Sequence, residues 1–218
     1  MRLFITDSSA VASLGNMATS ADATRVGRRV GVGGAAGNAR LTAFAGAVLL
    51  VLLAVEGSTI PFMGPLLSVH IFVGMLLLGP VALKLASTGY RFARYYGGAR
   101  AYVELGPPAP LMRVLVAPVL VLSTLTLFGT GVLLLVTARK GAILTLHQAS
   151  FIVWIGACGI HVLVYALRAF RQLAGRHLSG DALRIALVLA GIGAGVVVAV
   201  ATYHLAGPWL QHTLGADR

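Results

Sequence analysis

Five stretches of this chain are apolar for long enough to cross a bilayer, at about 41 to 60, 66 to 88, 114 to 137, 147 to 168 and 183 to 205. A spanning helix needs about 20 such residues at ~1.5 Å rise each. None of the five alternates apolar and polar positions as a barrel strand does. Backbone in hydrocarbon must also satisfy its own hydrogen bonds, so the pattern predicts helices. The expected fold class is all-α: an integral membrane helical bundle of about five transmembrane helices over residues 39–206, with a four-helix core. Residues 1–38 are rich in Ala, Gly, Ser and Arg, show little apolar periodicity, and read as a disordered tail. Residues 207–218 read as a short tail at the other end.

Composition agrees with the bilayer as solvent. The 218 residues are 58% hydrophobic and 11% charged, which leaves too little polar surface to cover a soluble core. Seventeen Lys and Arg against six Asp and Glu would suit a nucleic-acid binder, but the basic residues flank the spans instead of forming one patch. Arg2, Arg25, Arg28, Arg29 and Arg40 precede the first span. Lys84 at the end of the second span and Arg91, Arg94, Arg100 and Arg113 beyond it share a side with Arg168, Arg171, Arg176 and Arg184 around the end of the fourth and the start of the fifth. The connections on the opposite side carry only Arg139 and Lys140, and the C-terminal tail only Arg218. The bias predicts a multi-pass plasma-membrane protein with its N-terminus in the cytoplasm and its C-terminus outside. Arg28 and Arg29 before an apolar run invite a twin-arginine reading, but a run long enough to span, followed by further spans, favours a plain first helix. The lone Cys158 excludes an intrachain disulfide and reads as a packing residue.

Ionisable groups inside spans are costly and tend to face the bundle interior. His70 and Lys84 are 14 residues apart on the second span, and His147 and His161 are 14 apart on the fourth. Fourteen residues is close to four turns, so each pair shares a helix face and is separated by about 21 Å. In the expected topology these spans run in the same direction. His70 and His147 then fall at one outer depth, and Lys84 and His161 at one inner depth. Two helices that present imidazoles at one depth can clamp a haem iron. His161 is a candidate for an inner haem. Lys84 either snorkels to the interface, ligates an inner haem as a neutral amine, or pairs with a propionate. Gly74, Gly129 and Gly131 would admit a flat macrocycle or simply pack helices. Glu56 either faces water or contacts a quinone. His204 reads as interfacial beside Tyr203 and Trp209, and nothing is assigned to His177 or His212. The segment TGYRFARYYGGARAYVELGPPAP reads as an aromatic and basic anchor at the headgroups, or as a docking surface for a partner or anionic lipid.

The segments SVHIFVGMLLLGPVALK and LHQASFIVWIGACGIHVLVY, with the helical layout from about 40 to 205, resemble the bacterial cytochrome b561-type proteins. These include the cytochrome b subunits of nickel hydrogenases and formate dehydrogenases. The order VH, PVALK, TGYRFARYY, GPP, LHQASF also looks like an actinobacterial group of such proteins. The resemblance implies a bundle holding b-type haem that carries electrons between a quinone pool and a redox partner protein, with His70, His147 and His161 as axial ligands. The chain departs from a two-haem pattern at the inner position, where Lys84 stands in place of a fourth histidine.

The expected function is therefore membrane electron transfer on one or two haems b, more as a subunit than as a stand-alone enzyme. Nucleophile triads, phosphate loops and Cys-rich metal motifs are not found in the sequence. The competing expectation is a non-haem transporter or assembly partner that uses the His and Lys residues as a proton or ion relay.

Overall fold

The computed structural model describes residues 34–107, 110–175 and 178–215. Residues 1–33, including Arg28 and Arg29, and His177 lie outside the described residues. Among the described residues, four helical stretches are long and apolar enough to cross a membrane: Ala35–Tyr96, Met112–Thr137, Ala142–Ala174 and Asp181–Gln211. The first is 62 residues long, which as a straight helix would reach about 93 Å, three times the hydrocarbon thickness. It is instead a hairpin. A single 3-10 turn at Ile60–Phe62, containing Pro61, reverses the chain between α1 (Ala35–Thr59) and α2 (Met63–Tyr96). Thr59 then meets His70 near the turn, and Asn38 meets Ser87 at the far end. The protein is thus a multi-pass helical membrane bundle in which the four stretches supply five helices of spanning length.

Helix α1 starts at Ala35, inside the segment expected to be tail. The hydropathy pattern stops at Asn38 and Arg40, but both side chains are buried and bonded, so the helix continues through them. After α2, the glycine pair Gly97 and Gly98 turns the chain, with Gly98 in the left-handed region at φ 73°. The four-residue helix α3 (Arg100–Val103) follows. The next span opens with a wide π turn at Met112–Val116, where the Ala117 N–H reaches back to the Met112 carbonyl. Pro118 explains the turn, because it has no N–H for the carbonyl four residues earlier. Helices α4 (Ala117–Thr137), α5 (Ala142–Ala174) and α6 (Asp181–Thr202) complete the spans. The stretch expected as a short tail holds a further helix, α7 (Gly207–Gly215), whose Trp209 Nε1–H donates to the Leu134 carbonyl at 3.2 Å.

Helices α1, α2, α4 and α5 form a ring in that spatial order. Helices α2 and α5 lie across its diagonal, and α6 packs outside against α2 and α1. The α2 and α6 helices cross at glycines: Gly79 faces the Gly191 carbonyl and Gly195 faces the Leu76 carbonyl. A small core of Met75, Leu135, Ala199 and Ala206 lies beside this crossing. At most 28% of the most apolar window of any stretch is buried within the protein. The remaining apolar surface needs lipid to cover it.

One end of the bundle is tied by charge. Arg40 Nε lies 2.9 Å from Asp181 Oδ2, and Arg184 Nη1 lies 2.8 Å from Asp181 Oδ1. Arg40 Nη1–H also donates to the Gln172 carbonyl at 2.6 Å. This cluster joins the start of α1, the end of α5 and the start of α6. Two arginines that the sequence pattern places among solvated flanking charges are therefore buried and paired. Removing one member of such a cluster leaves the others unmatched, which costs far more than losing a surface pair. We expect Arg40→Met to lower the melting temperature in detergent by roughly 5–10 °C, followed by loss of helical circular dichroism. An unchanged curve would show that packing alone holds this end.

Candidate cofactor-binding site

The two histidines expected at one depth come together across the ring. His70, on α2, and His147, on α5, are within electrostatic reach of each other. The antiparallel contacts α1 to α2, α4 to α5 and α1 to α5 make α2 and α5 run in the same direction, as the depth argument requires. Both imidazoles are half-buried.

Each ring is anchored through Nδ1 to the neighbouring helix of its hairpin. His70 Nδ1 lies 2.9 Å from Thr59 Oγ1 and 3.0 Å from Glu56 Oε1, both on α1. His147 Nδ1 lies 3.1 Å from Thr130 Oγ1 and 3.1 Å from the Leu127 carbonyl, both on α4. These partners set the tautomer. Thr59 donates its hydroxyl hydrogen to the Glu56 carbonyl at 2.6 Å, and Thr130 donates to the Thr126 carbonyl at 2.7 Å. The Leu127 carbonyl can only accept, so His147 carries its hydrogen on Nδ1, and with the Thr59 hydroxyl turned to its own helix carbonyl we assign His70 the same tautomer. Both Nε2 atoms then keep their lone pairs and have no hydrogen-bond partner among the described residues.

Glycines make room for this arrangement. A Cβ at Gly131 would sit 3.2 Å from His147 Cε1, and one at Gly74 would sit 3.2 Å from Glu56 Oε1. Gly131 thus admits the imidazole, and Gly74 admits the carboxylate that holds the other imidazole. Gly129 faces open space. Glu56 is neither a water-facing group nor free for a quinone at Oε1, because that oxygen is bound to His70. It is also the only acidic residue within the predicted spans, a signal the sequence carried without its meaning.

The other end is built differently. Lys84 Nζ donates to the Thr42 carbonyl on α1 at 2.7 Å, through a notch left by Gly46, where a Cβ would lie 3.0 Å from the ammonium. The side chain thus turns sideways to an accepting carbonyl of the neighbouring helix. Ser87 extends this polar cluster, donating to the Lys84 carbonyl and bonding the Thr42 hydroxyl, while Asn38 donates to the Ser87 carbonyl. His161 is within electrostatic reach of Lys84 and packs against Tyr165 with ring centroids 4.9 Å apart. It has no hydrogen bond among the described residues. His204 is exposed, as an interfacial residue should be.

Among the described residues, no three His, Cys, Asp or Glu side chains gather to enclose a metal ion. A porphyrin supplies four of the six ligands of its own iron, so an axial pair of imidazoles suffices for haem. The His70 and His147 end offers such a pair: two anchored imidazoles on diagonal helices, with no partner for Nε2 among the described residues. The Lys84 and His161 end differs in that the amine donates to a backbone carbonyl, while the His161 imidazole has no hydrogen bond among the described residues. No family model matches the chain, and no match is found among curated proteins or solved structures.

Proposed function

We propose that the protein is a membrane electron-transfer protein that binds one haem b between His70 and His147. The observation that carries this reading is the pair of Nδ1 anchors, one on each of two diagonal helices, which present two Nε2 lone pairs at one depth. Metal-bound histidines ordinarily donate their second nitrogen to a carbonyl or carboxylate, which fixes the ring and raises its basicity. Bound there, haem would supply a one-electron carrier whose potential depends on its axial ligands and burial. The protein's part is to hold both rings. Glu56 adds a carboxyl partner on the His70 side, whereas His147 leans on a carbonyl and a hydroxyl, so the two rings are held by different acceptors. With more basic residues at the Lys84 end, that end is assigned to the cytoplasm and the histidine pair to the outer half. Electrons are proposed to pass between a quinone pool and a redox partner protein.

An uninterrupted ion relay is the weaker reading. Leu77 lies midway between His70 and Lys84 on α2 and is almost fully buried, and Leu49 is buried on α1. On α1 and α2 the two polar clusters are therefore separated by an apolar stretch, and on α4 and α5 the Thr124 hydroxyl between them is taken by Trp154 Nε1–H.

The deciding measurement is the reduced-minus-oxidised absorption spectrum of protein purified after expression with ample haem supply. We expect the bands of a six-coordinate b-type haem at one haem per chain. A preparation that folds and shows no haem bands overturns the proposal.

A further inference from the structure

A second feature, independent of the haem, lies where α2 leaves the bilayer. Helix α2 has 34 residues, about 51 Å, against ~30 Å of hydrocarbon. Because Asn38 pairs with Ser87, the residues after Tyr90 extend beyond the first turn of α1. This projection carries Arg91 and Arg94, and the Gly97 and Gly98 turn folds α3 back so that Tyr102 packs edge-on against Tyr90 at 6.2 Å.

Tyr102 is only 5% exposed, yet its hydroxyl is buried with no hydrogen-bond partner. Proteins seldom leave a buried hydroxyl unmatched. The guanidinium groups of Arg91 and Arg94 act on it electrostatically. Neither arginine has an acidic partner among the described residues. Burial, with the Tyr90 phenol beside it, pushes the Tyr102 phenol up from its usual range, so it stays a hydrogen donor. Val103, Leu105 and Leu111 around this turn are exposed and apolar, which places it against lipid.

We infer that Tyr102, Arg91 and Arg94 form a binding site for the phosphate of an anionic phospholipid headgroup. The chemistry is matched on three counts. Guanidinium groups bind phosphate oxygens with charge-assisted hydrogen bonds. The phenol supplies a third donor to the same group. The height is that of a headgroup, and the flanking apolar side chains face the acyl chains. A zwitterionic headgroup would bring its own cation against Arg91 and Arg94, so a net negative lipid is favoured.

The test is a titration of phosphatidylglycerol or phosphatidylcholine into delipidated, detergent-solubilised full-length protein, with bound lipid read by native mass spectrometry. The wild type should prefer phosphatidylglycerol. Tyr102→Phe removes one oxygen without changing shape and should weaken phosphatidylglycerol by about tenfold or more, as for a hydrogen bond to a charged group, while leaving phosphatidylcholine unchanged. Arg94→Gln, on an exposed side chain that cannot unfold the bundle, should weaken it similarly. Equal binding of phosphatidylglycerol by wild type and Tyr102→Phe overturns the inference, as does equal loss of both lipids. If inorganic phosphate at millimolar concentration displaces the lipid from wild type, the site belongs to free phosphate and the lipid assignment is wrong.

Discussion

His147→Ala is expected to lose the haem signal, with affinity reduced well beyond the about 10–100-fold that follows from disturbing an outer-shell partner. It is the cleaner of the two ligand substitutions. The hydroxyl of Thr130 already donates to the Thr126 carbonyl, and the Leu127 carbonyl belongs to the α4 ladder, so removing the imidazole orphans neither group. His70→Ala should lose haem as well, but it also strips the partner from Glu56 Oε1, whose sister oxygen Oε2 is already buried and unmatched. That variant therefore needs a folding control by circular dichroism. Thr130→Val keeps the ligand and removes one acceptor, and should weaken haem by about tenfold. Lys84→Met completes the series: with the amine on the Thr42 carbonyl, a single haem held by the two histidines needs nothing from the lysine, and haem per chain should not change. Full haem content in His147→Ala would refute the proposed site, and halved content in Lys84→Met would refute a single-haem protein.

Much of this arrangement was legible in the sequence because it depends on period and depth. Five apolar stretches predict five helices, and the 14-residue spacings place His70 with His147 and Lys84 with His161. The helix ends were less legible. Hydropathy stops at Ala86 to Thr88, for example, whereas α2 runs to Tyr96, since Arg91 and Arg94 are good helix formers and need only water or headgroups around them. The partners of the histidines were not legible. Glu56 and Thr59 reach His70 only because the Ile60–Phe62 turn folds α1 back at that height, and no spacing within one helix reports that. Arg40 and Arg184 look in sequence like ordinary flanking charges. Their burial depends on Asp181 standing where α1, α5 and α6 converge, which is a tertiary fact.

The crossing of α2 and α6 gives the largest expected effect on stability. Pro80 has no N–H to donate, so the Leu76 carbonyl four residues earlier is released from the α2 ladder. Gly195 of α6 lies against that carbonyl, close enough for its Cα hydrogens to contact the oxygen. One turn away, Gly79 lies against the Gly191 carbonyl and the Gly195 backbone. A methyl group at Gly79 or Gly195 would collide with backbone, which cannot rotate aside, so the helix axes would have to separate. Overpacking ordinarily costs about 1–3 kcal/mol, and a backbone obstacle places Gly195→Ala at the top of that range or above it. Gly193 is the internal control. It lies on the same helix and within the same small-residue run, but nothing stands within 4 Å of a Cβ placed there. Gly193→Ala should therefore match wild type, or exceed it through better helix propensity, while Gly195→Ala unfolds at lower temperature or lower denaturant. Because α2 also carries His70, the Gly195 variant should bind haem less tightly even where it remains helical. Equal stability of the two variants would mean that the helices are not held at backbone contact, and the small residues of α6 would then serve lipid packing alone.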